Sequence, residues 1–137
     1  MRPKICVSGG FDPLHLGHLQ MLRAAAELGD LYVILNSDDW LYRKKGRLFM
    51  RWHERAEIIS ELKCVTAVSP VDDSDGSVCE ALKRIQPDFF ANGGDRLEDN
   101  IPEGKVCKEY DIKMLFNIGG DKIASSSDML DRYAKSA

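Results

Sequence analysis

The ten residues from Gly9 to His18, which read GGFDPLHLGH, decide the architecture of this chain of 137 residues. An apolar run at 5–8 precedes them and predicts a buried strand that ends in the glycine turn. A helical pattern of apolar residues follows at 17–28. Strand, glycine turn and helix in this order predict the first unit of a parallel α/β sheet. Its turn lies at the carboxyl end of the first strand, where such sheets bind ligands.

The rest of the chain continues the alternation of strand and helix. This alternation predicts an α/β domain over 1–137, with a parallel five-stranded sheet flanked by helices. A basic loop is predicted at 43–47, where glycine stands among lysines and arginines. Further strands are predicted at 31–35, 65–68, 89–91 and 113–116, and further helices at 52–62, 77–85, 104–110 and 125–133.

Composition and charge narrow the class of protein. The hydrophobic fraction of 44% and the charged fraction of 30% are those of an ordinary globular protein. The net charge of -3 argues against nucleic acid as a partner, because such proteins are usually basic. No apolar stretch approaches the ~20 residues of a membrane span, and the first apolar run is too short for a signal peptide. We therefore expect a cytoplasmic protein with no membrane or nucleic-acid partner.

The cysteines and the clustered aspartates do not match known metal sites. The aspartates at 72, 73 and 75 lack the full spacing of a calcium loop. No cysteine belongs to a Cys-x-x-Cys pair or lies at metal-ligand spacing from a histidine. We therefore expect reduced, structural thiols. The four cysteines are Cys6, Cys64, Cys79 and Cys107.

His15 and His18 carry the chemistry of the opening stretch. They lie three residues apart around Gly17, at the predicted start of a helix, so their side chains share one face. The N-terminus of a helix attracts anions, and imidazoles donate hydrogen bonds to phosphate oxygens. A pair that only caps the helix is the structural alternative. A zinc site would need a third ligand, and His53, the other histidine, is predicted to lie on the surface of a helix.

Through this motif the sequence resembles the cytidylyltransferase-type nucleotidyltransferases, a family marked by His-x-Gly-His. The resemblance covers nearly the whole chain and implies a Rossmann-like fold. The later segments that match, in family order, are Asn36-Ser37-Asp38, Lys45-Gly46, Glu54-Arg55, Gly93-Gly94-Asp95 and Ser125-Ser126-Ser127. Each segment is weak alone, and their joint occurrence is specific.

The resemblance implies direct nucleotidyl transfer. A substrate phosphate attacks the α-phosphorus of a nucleoside triphosphate, and pyrophosphate leaves. The catalytic residues it implies are His15, His18 and Lys45, with Lys44 as the alternative lysine. Mg²⁺ would bridge the phosphates with no protein ligand, and Asp12 is the nearest candidate ligand. Beyond these, the resemblance implies a nucleotide site at Gly9, Gly10, Phe11, Asp12, Gly17, Gly94, Asp95, Ser125 and Ser126, and a substrate site at Lys44, Arg55 and Asp38.

Several of these residues have a simpler structural reading. The basic run at 43–47 can be a solvated loop, and the serines at 125–127 can be a helix cap. Arg55 can pair with Glu54 or Glu61 on a helix surface. Asp95 can be a turn residue.

The acceptor and the nucleotide are left open between branches of the family. Transfer of AMP from ATP to a sugar 1-phosphate, as in heptose adenylyltransferase, is favoured by the segments at 36–38, 45–47 and 92–95. Transfer of CMP from CTP to glycerol 3-phosphate is the alternative, but that branch carries an arginine where this chain has Gly120. FAD synthesis and a non-catalytic nucleotide-binding protein are further alternatives. The resemblance also implies a homodimer.

Overall fold

The sheet is built around the strand that leads into the glycine turn. The computed structural model describes residues 2–92, 101–120 and 126–136. Its strands are β1 (Lys4–Gly9), β2 (Asp30–Leu35), β3 (Val65–Ser69), β4 (Phe89–Ala91) and β5 (Lys113–Leu115). They are all parallel, in the order β3-β2-β1-β4-β5, so β1 is central.

The helices of the described residues follow or connect these strands. The predicted Rossmann-like α/β class with a five-stranded parallel sheet is confirmed, and each predicted strand forms with ends within one residue of the prediction. The helices are α1 (Leu16–Ala26), α2 (Asp38–Lys45), α3 (Trp52–Ser60), α4 (Cys79–Ile85), α5 (Glu103–Glu109) and α6 (Ser126–Ser136).

The predicted basic loop at 43–47 was wrong, because most of it belongs to α2. Ser37 caps this helix by accepting a hydrogen bond from the Trp40 N–H. Gly46 ends it with a left-handed φ of 72°, a conformation that glycine adopts without steric cost. Acidic residues in the first turn and basic residues in the last turn complement the helix dipole. Lys44 and Lys45 therefore lie in the last turn of a helix and not in a loop.

The sheet is covered on both faces, which explains its apolar strands. Successive residues of β1 point to opposite faces, as the pleat requires. Ile5 and Val7 pack in one cluster with Leu22 of α1, whereas Cys6 packs in the other with Phe90 of β4. Each of these side chains is fully buried. This burial holds β1, and so the turn that follows it, in a rigid frame.

The carboxyl ends of the strands form the edge at which the candidate site lies. From β1 the chain moves outward to β2 and β3, then returns to the other side of β1 for β4 and β5. The strand order therefore reverses between β1 and β4, and a crevice opens at such a switch point. The Asn36 N–H donates to the Gly9 carbonyl at 3.0 Å, which joins the first two strand exits.

None of the helices that the structure describes is long and apolar enough to cross a bilayer.

The four cysteines are free thiols in the structure, and their burial predicts different reactivity. Burial raises the pKa of the Cys6 thiol to about 12. Because the thiolate is the reactive form, we expect Cys6 to resist iodoacetamide at pH 8 in the folded protein. Mass spectrometry after brief labelling should find Cys64 and Cys79, which are half-buried, modified first. Labelling of Cys6 at the same rate as these two, without denaturant, would contradict the packing described here.

Candidate active site

His15 and His18 form a reciprocal cap at the start of α1. The His15 N–H donates to Nδ1 of His18 at 3.2 Å, and the His18 N–H donates to Nδ1 of His15 at 3.4 Å. The rings are stacked, with centroids 3.7 Å apart and planes 17° from parallel. Because Nδ1 of each ring accepts, each neutral ring carries its proton on Nε2. The cap thus fixes the orientation and tautomer of both imidazoles. The structural reading of the pair as a helix cap is confirmed, and its phosphate-binding role stays a prediction.

Phe11 supports this pair from the preceding turn. Its ring is buried and meets the ring of His18 edge-on at 4.7 Å. Its backbone has a left-handed φ of 49°, which is uncommon for a bulky residue and marks a position that the surroundings hold in place. Phe11, predicted to bind nucleotide, therefore contacts His18 directly.

Gly10 lies beneath α2. A Cβ atom at this position would be 2.7 Å from Cδ2 of Leu41 and 3.6 Å from Cζ3 of Trp40. Glycine therefore lets the buried Leu41 side chain pack directly against the turn, and a larger residue would make that side chain shift. This contact brings α2, with its lysines, against the turn after β1.

Arg55 is enclosed by the protein and bonded to its backbone. Its side chain is fully buried, and its guanidinium donates to the carbonyls of Met50 (2.9 Å), Gly10 (2.8 Å) and Asn36 (2.9 Å). It also forms a 2.6 Å ion pair with Asp38. The two side chains hold each other, and Arg55 joins the backbones that follow β1, β2 and α2, while the predicted substrate contacts of both residues stay predictions.

Asp12 is also occupied by the protein itself. Its buried carboxylate accepts the backbone N–H groups of Phe49 and Met50, both at 2.7 Å. This contact ties the turn after β1 to the segment before α3. Both oxygens are engaged, so Asp12 clamps these two segments together, and its predicted nucleotide contact stays a prediction. Among the described residues, no group of three His, Cys, Asp or Glu side chains can hold a metal ion.

Lys44 and Lys45 are both exposed in the last turn of α2. The ammonium of Lys44 lies 5.5 Å from the ring centroid of Trp40, one helical turn earlier. Such a cation–π contact holds the lysine over the ring. Because Trp40 borders Gly10, Lys44 is held near the turn after β1. Trp40 was not singled out from the sequence, since an aromatic residue in a polar helix carries no chemical motif.

The start of α6 reaches the histidine turn. The Ser126 hydroxyl is buried and donates to the Pro13 carbonyl at 2.7 Å, so a residue predicted to bind nucleotide lies beside the turn. Arg47 reinforces this placement through a 3.0 Å ion pair with Asp131 of α6. The predicted site residues Gly94, Asp95 and Ser125 lie outside the described residues.

Two polar residues near the strand ends were not predicted as site residues from the sequence. Asp73 is buried and accepts hydrogen bonds from Asn36 and Ser37 at the exit of β2. Asn92 is buried at the exit of β4, and its Nδ2 has no partner among the described residues. The one available signal was their position after predicted strands.

The third histidine, His53, is exposed on α3, as predicted.

The candidate site thus has three parts: a stacked imidazole pair at the N-terminus of α1, the two lysines in the last turn of α2, and the first residue of α6. Such a set of donors and positive charge is suited to a polyphosphate. It lies at the switch point of the sheet, where nucleotides bind in open α/β folds.

Comparison with known proteins agrees with this geometry. The sequence model of the family described as cytidylyltransferase-like matches residues 6–127. The D-beta-D-heptose 1-phosphate adenylyltransferase of Bordetella bronchiseptica is 32% identical over 113 residues, which cover 80% of this chain and 68% of that protein. The bifunctional protein HldE of Syntrophotalea carbinolica is 31% identical over 135 residues, 94% of this chain and 27% of that protein. The chain thus spans about a quarter of the length of this bifunctional relative.

A solved structure shows the same fold. The lipopolysaccharide core biosynthesis protein from Thermoplasma volcanium superposes with a TM-score of 0.70 at 24% identity, over 85% of this chain and 96% of that one. The family match covers the histidine turn, the lysines of α2 and the first residues of α6. The chain therefore belongs to the cytidylyltransferase-like family of nucleotidyltransferases.

Proposed function

We propose that this chain transfers AMP from ATP to a sugar 1-phosphate and releases pyrophosphate. The observation that carries the proposal is the His15–His18 pair, whose reciprocal cap presents two oriented imidazoles at the N-terminus of α1. The adenylyl group and the sugar acceptor are suggested by the heptose 1-phosphate adenylyltransferase that the chain resembles over most of its length.

The proposed reaction is a direct displacement. An oxygen of the acceptor phosphate forms a bond to the α-phosphorus of ATP, and the bond from that phosphorus to the bridging oxygen breaks. The electron pair leaves with pyrophosphate. A phosphate nucleophile is already ionised at neutral pH, so alignment and charge neutralisation account for catalysis. His15 and His18 donate to the α-phosphate and the bridging oxygen, and Lys45 neutralises phosphate charge.

Mg²⁺ enters this proposal with the nucleotide, as part of the ATP substrate. The described residues do not provide a ligand set for a resident ion, since Asp12 has both oxygens engaged by backbone N–H groups. Ser125 and Ser126 are proposed to hold the β- and γ-phosphates, and Gly94 and Asp95 to lie beside the nucleotide. A cytoplasmic location and a homodimer complete the proposal.

The backbone at Gly120 supports the sugar branch over the glycerol branch. Gly120 has a left-handed φ of 83°, which a side-chain-bearing residue adopts only with strain. The arginine of the glycerol branch would therefore not fit this turn without a change of backbone.

The proposal is tested by measuring pyrophosphate release with Mg²⁺ and each of ATP, CTP, GTP and UTP. Each nucleotide is paired with sugar 1-phosphates, glycerol 3-phosphate and FMN. We expect release with ATP and a sugar 1-phosphate. Release only with CTP and glycerol 3-phosphate would move the protein to the glycerol branch, and release only with FMN would show FAD synthesis. Nucleotide binding without release in any pair would favour a non-catalytic role.

Lys45→Ala is expected to lower kcat/KM about 100-fold, because it removes a charge from the phosphates in the transition state. Lys44→Ala should lower it less than about fivefold, since Lys44 is partly engaged by Trp40 in a contact of modest energy. Lys83→Ala, an exposed lysine of α4, is the control and should leave the rate unchanged. The reverse order of the first two effects in steady-state assays would assign the catalytic role to Lys44.

A further inference from the structure

We propose that Asp73 is a positioning residue for nucleotidyl transfer, which holds α2 in the orientation that directs its lysines to the phosphates. Asp73 lies in the connection between β3 and α4, and its carboxylate is 3% exposed. One oxygen accepts from Nδ2 of Asn36 at 3.0 Å and from the Ser37 N–H at 2.8 Å. The other accepts from the Ser37 hydroxyl at 2.6 Å. A buried carboxylate with three donors is a strong anchor.

The anchor continues directly into the helix. The Ser37 hydroxyl that donates to Asp73 also accepts the Trp40 N–H at 3.1 Å, which makes it the N-cap of α2. A second attachment lies further along the helix, where Arg43 donates to the carbonyls of Asp73 (2.8 Å) and Ser74 (2.9 Å). Residues 73–74 therefore hold α2 at its start and in its second turn.

The first turn of α2 has one other strong attachment, the ion pair of Asp38 with Arg55. The cap at Ser37, the Asp38–Arg55 ion pair and the Arg43 contacts together set the direction of α2, so loss of the cap anchor leaves the start of the helix less firmly held. Lys45 follows Ser37 by eight residues, which is about 12 Å along the helix axis. A tilt of about 10° at the start of α2 would therefore displace the Lys45 backbone by roughly 2 Å. Misplacement on the order of 1 Å can lower a rate about 100-fold.

This inference rests on the proposed role of Lys45 at the phosphates. The test compares Asp73→Asn, which keeps the shape and removes the charge, with Asp75→Asn in the same connection. Among the described residues, the Asp75 carboxylate accepts from Ser77, by its N–H and its hydroxyl, both at 2.9 Å, and from no group of α2. The two variants therefore share the same loss of charge and differ in contact with the helix.

The first measurement is trypsin cleavage at the basic residues of α2 in the folded protein, which does not depend on activity. We expect cleavage at 43–45 to be about tenfold faster in Asp73→Asn, because local opening of α2 exposes these bonds. Asp75→Asn should be cleaved at the rate of the parent protein. Equal cleavage of Asp73→Asn and the parent would overturn the proposal.

The second measurement is a double-mutant cycle on kcat/KM, made well below the melting temperature of each variant. Asp73→Asn alone is expected to lower kcat/KM about 10- to 100-fold. In the Lys45→Ala background the same change should lower it less than about twofold, because the residue acts through Lys45. An undiminished loss in that background would show a general structural role and overturn the proposal. If no acceptor gives turnover, the cycle is run on the ATP dissociation constant from calorimetry, so the two proposals fail separately.

Discussion

His18→Ala is expected to lower kcat by about two to four orders of magnitude, the cost of removing a transition-state donor of this kind. In the proposed reaction the Nε2–H of His18 meets an oxygen on which charge accumulates as the bond to pyrophosphate breaks. The measurement is pyrophosphate release at saturating ATP and sugar 1-phosphate. A normal kcat would refute the role assigned to His18.

The structure also assigns His18 a part in stability, and this part must be separated from catalysis. Its Nδ1 accepts the His15 N–H, so the alanine variant loses half of the reciprocal cap. Loss of a capping interaction costs about 1 kcal/mol, too little to unfold an ordinary domain. A fall in kcat of several orders of magnitude at a temperature where the variant is folded therefore reports on chemistry.

His18→Gln separates the two roles further. Glutamine at the third position of a helix accepts the N-cap N–H in ordinary capping boxes, so it can restore the cap without an imidazole. We expect its melting temperature to lie close to that of the parent protein and its kcat to stay as low as that of His18→Ala. His53→Ala, which removes the exposed histidine of α3, should change neither quantity. Recovery of kcat in His18→Gln would show that the cap, and not the imidazole, is what the reaction needs.

The parts of this protein that could be predicted from its sequence are those that local patterns determine. The strand before Gly9 and the helix after His15 follow from apolar spacing and a glycine turn. The placement of the histidine pair at the start of a helix can also be predicted, because it depends only on residues that are close in the sequence. The parallel sheet can also be predicted, since alternating strands and helices permit few arrangements.

The parts that could not be predicted depend on contacts between distant segments. Arg55 was expected to meet a ligand, but its partners Gly10 and Asn36 are 45 and 19 residues away. Asp12 likewise meets backbone N–H groups that are 37 and 38 residues away. A charged residue in a family motif can bind substrate or support the site, and only the packing distinguishes the two. Asp73 received no role from the sequence beyond a rejected calcium loop, because local spacing does not reveal its partners at 36–37.

Arg55→Met is expected to lower the free energy of unfolding by about 3–5 kcal/mol, the usual cost of breaking a buried ionic network by removing one partner. The change leaves the carbonyls of Gly10, Asn36 and Met50 without their donor in a region closed to solvent. For a domain of this size the melting temperature should fall by about 10 °C, since each kcal/mol corresponds to a few degrees. Thermal unfolding followed by circular dichroism gives the measurement.

The same variant tests whether the contacts of Arg55 support catalytic activity as well as stability. Its three carbonyl partners lie in the turn after β1, the exit of β2 and the segment before α3, and Asp38 is the first residue of α2. Loss of the guanidinium should therefore loosen the histidine turn and the lysine helix together, and kcat/KM should fall even at temperatures where the variant is folded. Arg55→Lys should restore little of the lost stability or kcat/KM, because one ammonium group cannot replace a planar guanidinium with four partners. Arg51→Met removes an exposed arginine one helical turn away and should match the parent protein. Equal melting temperatures for the two methionine variants would mean that the buried network contributes nothing to the folded state.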